Sequence, residues 1–98
     1  MSETISQAEK KKLRGLAHSL KPMVHVGKEG LSDAVIKTID EAITHHELIK
    51  VQFLETAFLD RKRDSVHLAE MVNATLIQVI GYKIILYRKK SESADNIE

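Results

Sequence analysis

Residues 23–32 have the sequence Met-Val-His-Val-Gly-Lys-Glu-Gly-Leu-Ser, and this stretch is the most informative about the fold. The run Met23–Val26 is mostly apolar and ends at a glycine, a length that suits a buried strand and is too short for a helix. Ser32 is placed to cap a helix, and Leu31 to pack against Ile36 as a hydrophobic staple. The stretch therefore predicts a strand, a glycine loop and a helix in direct succession.

Apolar residues that recur at helical spacing predict three helices. The first begins at a capping box formed by Ser6 and Glu9 and ends before Pro22. The second follows Ser32, and the third runs from about Asp64 to Asn73. The apolar positions are Leu13, Leu16, Ala17 and Leu20 in the first helix, Val35, Ile36, Ile39, Ala42 and Ile43 in the second, and Val66, Ala69 and Val72 in the third.

The remaining strands are predicted from alternation with a period of two. The segment from Leu48 to Leu54 has one face made of Ile49, Val51 and Phe53 and another made of Lys50 and Gln52. Two further strands, Thr75 to Ile80 and Lys83 to Tyr87, flank Gly81-Tyr82, where glycine at the first central position suits a type II′ hairpin. That register places Ile77 and Val79 beside Ile84 and Leu86.

The predicted order of helices and strands is αβαβαββ, an α/β fold of the two-layer α+β type. Strand–helix–strand units favour parallel pairing with a right-handed crossover, and the last two strands form an antiparallel hairpin. We expect one domain over residues 1–98 with a mixed four-stranded sheet, three helices and a core at about 6–90. Residues 55–64 show no clear pattern, and the acidic segment 91–98 is expected to be frayed.

Several classes of protein do not fit the composition. The chain has no cysteine, which excludes disulfides, zinc ribbons and thiol catalysis. Its apolar runs are too short to span a membrane, and its first residues lack the layout of a signal peptide, so we expect a cytoplasmic protein. The sequence His46-Glu47-Leu48-Ile49-Lys50 begins like the zinc-protease motif, but lysine replaces the second histidine. We expect no catalytic residue, metal or cofactor.

The net charge of +1 conceals an uneven distribution along the chain. Four of the fourteen acidic residues lie in the terminal segments 1–5 and 91–98, so the body keeps 15 basic residues against 10 acidic ones. A modestly basic body permits a polyanionic partner without requiring one.

Four basic residues form what we call the basic stripe: Lys11, Arg14, His18 and Lys21. Their spacings of three, four and three place them on the helix face away from the leucines. The stripe leads towards the strand before the glycine loop, so the two could form one surface, although a solvated outer face is the ordinary alternative. Gly15 lies within the stripe and costs about 1 kcal/mol relative to alanine inside a helix, which suggests close approach of a neighbouring element or of a ligand backbone.

Other basic and aromatic residues are less informative. The run Arg61-Lys62-Arg63 lies between Asp60 and Asp64 and is interpreted as a solvated loop. Lys50, Lys83 and Arg88 stand on or beside strands and could extend a basic surface. The four aromatic residues, Phe53, Phe58, Tyr82 and Tyr87, do not form the pattern of RRM domains, so base stacking on a sheet is not expected.

The glycine loop, Gly27-Lys28-Glu29-Gly30, has the composition of an anion-binding site. It precedes a predicted helix N-terminus, where unpaired N–H groups and the helix dipole can receive a phosphate. The same Gly-x-x-Gly spacing occurs in KH domains, where the loop clamps the nucleic-acid backbone. Two glycines three residues apart also make ordinary turns. A P-loop is not supported, because no glycine stands five residues before Gly27 and no Ser or Thr follows Lys28.

Five segments together resemble the CRM domain, named for chloroplast RNA splicing and ribosome maturation, in its bacterial single-domain YhbY-like form. They are Leu13–Pro22, Gly27–Leu31, His46–Val51, Val79–Gly81 and Leu86–Arg88. The resemblance covers roughly residues 6–90, but nothing in residues 55–64 matches, so it assigns no role to Arg61, Lys62 or Arg63.

The resemblance implies a fold like the C-terminal domain of bacterial translation initiation factor three, and RNA binding by the glycine loop and nearby basic residues. Plant relatives assist intron splicing, whereas single-copy bacterial chains are associated with precursors of the large ribosomal subunit. We therefore expect a monomer that binds ribosomal RNA or pre-50S particles. The resemblance implies RNA binding by Gly27, Lys28 and Gly30 with Arg14, His18 and Lys21 beside them, and further by Lys50 and Arg88. The predicted RNA-binding set also includes Glu29 from the loop and Lys11 from the basic stripe.

Two other functions are compatible with the residues alone. The basic face could belong to an adaptor that meets an acidic protein. The glycine loop could instead serve an enzyme acting on a phosphorylated small molecule, although no other feature supports this.

Overall fold

The computed structural model describes residues 5–90, and the acidic segment 91–98 lies outside the described residues. The predicted order αβαβαββ is confirmed, with one additional 3-10 turn in the segment that had no pattern. The elements are α1 (Gln7–His18), β1 (Val24–Val26), α2 (Asp33–His46), β2 (Leu48–Phe53), the 3-10 helix Glu55–Ala57, α3 (Arg63–Met71), β3 (Thr75–Ile80) and β4 (Lys83–Tyr87).

The four strands form one mixed sheet in the order β1-β2-β4-β3. β1 pairs parallel with β2, whereas β4 lies antiparallel between β2 and β3. The C-terminal ends of β1, β2 and β3 therefore lie at the same end of the sheet. We call this the glycine-loop end, and it comprises residues 27–32, 54–62 and 81–82.

The main core lies between the sheet and the pair α2 and α3. Phe53, Ile39, Ile43 and Leu68 are all buried there. The start of α2 is fixed as the sequence predicts, because the Ser32 hydroxyl accepts a hydrogen bond from the Val35 N–H at 3.2 Å. Leu31 and Ile36 pack against this core, as expected for the staple positions.

α1 lies on the other face of the sheet. Its residues Leu13 and Ala17 form a second buried cluster with Ile77 and Ile85. Helices thus cover both faces of the sheet, whereas the sequence indicated two layers. Periodicity along one helix does not show which face of the sheet the helix covers, which explains the difference.

Two residues assigned to apolar helix faces are exposed, so those assignments were wrong. Leu16 is 54% exposed because α1 contacts the sheet through the narrower pair Leu13 and Ala17, with Leu20 packing beside them just beyond the helix. Val66 is 49% exposed, because α3 turns a neighbouring face to the core. That face is made of Ser65, Leu68, Ala69 and Val72.

The final hairpin has the predicted turn and a different register. Gly81 has a φ of +60° and Tyr82 is not in the positive-φ region, the pattern of a type II′ turn. Val79 lies opposite Ile84 as predicted, but an irregularity between Leu76 and Gln78 places Leu76 opposite Leu86. The predicted placement of Ile77 beside Leu86 was wrong, because this bulge turns the Ile77 side chain towards α1.

Candidate nucleic-acid interface

Three segments meet at the glycine-loop end of the sheet. The Leu54 N–H donates to the Val26 carbonyl at 2.8 Å, and the Phe53 N–H donates to the Tyr82 carbonyl at 2.8 Å. A Cβ atom at Gly27 would lie 3.8 Å from the side chains of both Leu54 and Thr56. The glycine loop, the segment after β2 and the hairpin turn therefore form one continuous surface.

The glycine loop is a closed turn with its central residues outward. The Gly30 N–H donates to the Gly27 carbonyl at 2.9 Å, and Gly30 has a φ of +67°, which favours glycine. Lys28 and Glu29 are exposed at the tip. Since Gly30 uses its own N–H inside the turn, this amide is not available to a ligand.

Several backbone amides near the turn remain available. Among the described residues, the N–H groups of Lys28 and Glu29 and those of Asp33 and Ala34 in the first turn of α2 donate to no acceptor. These amides lie at the positive end of the α2 dipole, which favours an anion. The carboxylates of Glu29 and Asp33 oppose that attraction, so Lys28 supplies the positive side chain of the loop.

The segment that the sequence left unassigned contains a second cap. The Asp60 carboxylate accepts hydrogen bonds from the backbone N–H groups of Arg63 at 2.8 Å and Lys62 at 2.9 Å. In return, the Asp64 carboxylate accepts from the Asp60 N–H at 2.7 Å. The hydrogen bond from the Arg63 backbone, followed by that from Lys62, lowers the pKa of Asp60 below its ordinary value. Asp60 thus holds the start of α3 in place.

Two cations next to this cap have no carboxylate partner. The guanidinium carbon of Arg61 lies 5.4 Å from the centre of the Tyr82 ring. Arg63 approaches Asp64 at 3.8 Å, but Arg61 and Lys62 form no ion pair within residues 5–90. The two flanking aspartates accept hydrogen bonds from the backbone and keep their charge, so residues 60–64 hold three cations against two carboxylates, a net charge of +1. Arg61 and Lys62 therefore add positive charge to the glycine-loop end.

The basic stripe lies apart from the glycine loop. Lys11, Arg14 and His18 are on α1, which packs across β2, β4 and β3, whereas the loop follows β1 at the edge of the sheet. Lys21 precedes β1 and the loop follows it, so roughly 10 Å of strand separates them. The structure does not place Lys21 beside the loop, because β1 lies between them.

Gly15, within the basic stripe, has open space where a side chain would lie. A Cβ atom added there would meet nothing within 4 Å, so no neighbouring element of the described structure requires glycine at this position. Of the two explanations suggested by the sequence, close packing against another element within residues 5–90 is removed. An approach by a ligand backbone remains.

Lys50 and Arg88 serve the fold. Lys50 is only 8% exposed, and its Nζ donates to the Leu20 carbonyl at 2.7 Å, which ties the chain after α1 to β2. The Arg88 guanidinium donates to the Asp40 carboxylate, the Val72 carbonyl and the Thr44 hydroxyl. These contacts occupy both side chains, and we leave both residues out of the candidate interface.

Other kinds of site find little support in the described chain. No group of three or more His, Cys, Asp and Glu residues within residues 5–90 could hold a metal ion. His45 and His46 end α2, a position where histidine complements the helix dipole. No helix between residues 5 and 90 has the length and apolar character needed to cross a bilayer.

Comparison with known proteins places this geometry in a family. Residues 5–88 match the model of the CRS1 / YhbY (CRM) domain. The chain belongs to the CRM family. This confirms the resemblance carried by the five sequence segments, and the CRM match extends across residues 55–64, which resembled nothing when read alone.

CRM relatives of similar length share much of the sequence. The chain is 39% identical over 93 residues to an "RNA-binding protein" of Haemophilus influenzae, covering 92% of this chain and 91% of that one. It is also 39% identical over 85 residues to the "Probable RNA-binding protein YqeI" of Bacillus subtilis, covering 87% and 88%. The solution structure of the hypothetical protein SAV1595 from Staphylococcus aureus is 38% identical, with a TM-score of 0.77 and coverage of 90% and 92%. Each of these relatives is matched over most of its own length.

Proposed function

We propose that this CRM domain is an RNA-binding protein that contacts RNA through its glycine-loop end. The observation that carries the proposal is the convergence of free backbone amides with the exposed cations Lys28, Arg61 and Lys62 on one surface. The names of its relatives from Haemophilus influenzae and Bacillus subtilis state RNA binding and no reaction. The proposed role is non-catalytic.

The binding chemistry follows from the loop geometry. A phosphate at the tip would accept hydrogen bonds from the free N–H groups of Lys28 and Glu29, with those of Asp33 and Ala34 close by. The Lys28 ammonium adds a charge that can follow the phosphate, since its side chain is exposed. Backbone amides and lysine do not read base identity, so the loop recognises the shape of the RNA backbone more than its sequence.

The proposed RNA is ribosomal, and the proposed role is assembly of the large ribosomal subunit by a cytoplasmic monomer. Support comes from the single-domain bacterial relatives and from the separation of two basic regions. The loop and the stripe on α1 lie at different places on the molecule, and a large structured RNA can contact both at once. The stripe then adds charge that is independent of the loop.

Two experiments test the proposal. In gel shifts, fragments of large-subunit ribosomal RNA should bind more tightly than an unrelated structured RNA of equal length and charge. In sucrose gradients, the tagged protein should sediment with large-subunit precursors at low salt and leave them on salt washing. Equal and weak binding to both RNAs, with the protein confined to ribosome-free fractions, would contradict the proposal and favour an adaptor that binds an acidic protein.

A further inference from the structure

Phe58 is an aromatic side chain held out in solvent by a rigid turn. It is 94% exposed and has a φ of +54°, a left-handed conformation that bulky residues rarely adopt. The turn is anchored on both sides, because Ala57 is buried and Leu59 packs against the main core. The exposed position of the ring is therefore imposed by the fold of the segment.

The segment that follows Phe58 combines aromatic surface with positive charge. Three residues along the chain, Arg61 lies over the Tyr82 ring at 5.4 Å. An open, shallow depression lies beside the Arg61–Tyr82 pair. Its walls are Leu59, Asp60, Arg61, Lys62 and Tyr82.

We propose that Phe58 and the Arg61–Tyr82 pair receive an unpaired base of the RNA whose backbone follows the glycine loop. This inference rests on the proposed function and adds recognition of single-stranded RNA to it. Nucleobases stack on aromatic rings and on arginine guanidinium planes, and such stacking tolerates any base. The charge of Arg61 and Lys62 favours a polyanionic partner over an uncharged apolar one.

This stacking differs from the stacking on a sheet surface that occurs in RRM domains. Phe53, the aromatic residue on β2, is buried in the main core and unavailable. The available rings are instead on the segment after β2 and on the hairpin turn. Both segments belong to the glycine-loop end, so one RNA strand could contact loop and rings together.

The test compares wild type with Phe58→Ala, Phe58→Leu and Phe58→Trp. Affinities are measured for a labelled single-stranded oligonucleotide and for a fully paired duplex of the same length. Phe58→Ala should weaken single-strand binding roughly 5- to 150-fold, the range for one stacked base, and leave duplex binding unchanged. Phe58→Leu should lose nearly as much because it keeps apolar bulk without a ring, and Phe58→Trp should retain affinity.

A matched control is Met71→Ala, which removes an exposed apolar side chain at the end of α3, away from the glycine-loop end. It should change neither affinity. Melting temperatures of all variants show that each is folded. Full single-strand affinity in Phe58→Ala or Phe58→Leu would overturn the inference while leaving the proposed function intact. Failure of the wild type to bind either RNA would contradict both this inference and the proposed function.

Discussion

The guanidinium of Arg88, one residue beyond β4, lies 2.8 Å from the carboxylate of Asp40 on α2. The same group donates to the Val72 carbonyl at the end of α3 at 2.7 Å, so one side chain connects the last strand to both helices of the main core. The Asp40 side chain is half exposed, so its ion pair contributes little by itself. The larger effect comes from satisfying several acceptors at once.

Arg88→Lys should therefore destabilise the protein almost as much as Arg88→Ala. Lysine keeps the charge but lacks the planar group that donates in several directions. Loss of these hydrogen bonds should lower the free energy of unfolding by about 1–3 kcal/mol, measured by urea denaturation. The RNA affinity of the folded variant should be unchanged. An Arg88 variant that keeps full stability but loses RNA affinity would show that Arg88 contacts the RNA.

Gly15→Ala should stabilise the protein and weaken RNA binding. Alanine removes the backbone freedom of a glycine inside α1, which should raise the free energy of unfolding by roughly 0.5–1 kcal/mol. Its methyl group would meet nothing within 4 Å in the described part of the chain, so the substitution would hinder a ligand that approaches this backbone. Thermal melts and RNA titrations measure the two effects. Higher stability with unchanged affinity would show that RNA does not contact α1 at Gly15.

Asp60→Asn should lower thermal stability near neutral pH, and the difference from wild type should disappear in acid. The hydrogen bonds from Arg63 and Lys62 depress the pKa of Asp60 below 3.8. The carboxylate therefore stabilises the folded state above its ordinary pKa, and this contribution is lost as the pH falls through the depressed value. Melting temperatures measured across this range check the prediction.

The control for Asp60→Asn is Glu41→Gln. The Glu41 carboxylate on α2 accepts no hydrogen bond among the described residues. A difference between wild type and Asp60→Asn that persists unchanged well below pH 3.8 would show that charge on the cap is unimportant.

Local signals predicted most of the fold. Ser6 and Ser32 cap the helices that they were expected to cap. A serine hydroxyl just before an apolar helical repeat can accept a hydrogen bond from an unpaired backbone N–H of the first turn. Gly81 has the positive φ that its hairpin requires. These features depend on a few neighbouring residues, so the sequence contains what is needed to predict them.

Long-range packing could not be predicted in the same way. The bulge at Ile77 turns a residue to the opposite face, and strict alternation cannot anticipate it. Alternation placed Lys50 on the polar face of its strand. In the structure, its ammonium group donates to the Leu20 carbonyl of the chain leaving α1, a contact that alternation cannot predict. The separation of the basic stripe from the loop depends on the sheet order, which is set by all four strands together.

Part of the candidate site was also visible from sequence. The glycine loop, with Lys28 at its tip, is where the sequence placed it. Arg61, Lys62 and Phe58 were not assigned to the site, because their segment has no periodicity and two aspartates appeared to neutralise it. Only the hydrogen bonds of Asp60 and Asp64 to backbone amides show that those cations are unpaired.

The most direct measurement is the salt dependence of RNA binding by wild type, Lys28→Ala and the control Lys37→Ala, an exposed lysine within α2. If about four to six phosphates are neutralised, the logarithm of affinity should fall against the logarithm of salt concentration with a slope of roughly −3 to −5. Lys28→Ala should reduce that slope by about 1 and keep its melting temperature, because the side chain is on an exposed loop. Lys37→Ala should match wild type. A wild-type slope near zero, or identical slopes for all three proteins, would contradict binding of the RNA backbone at the glycine loop.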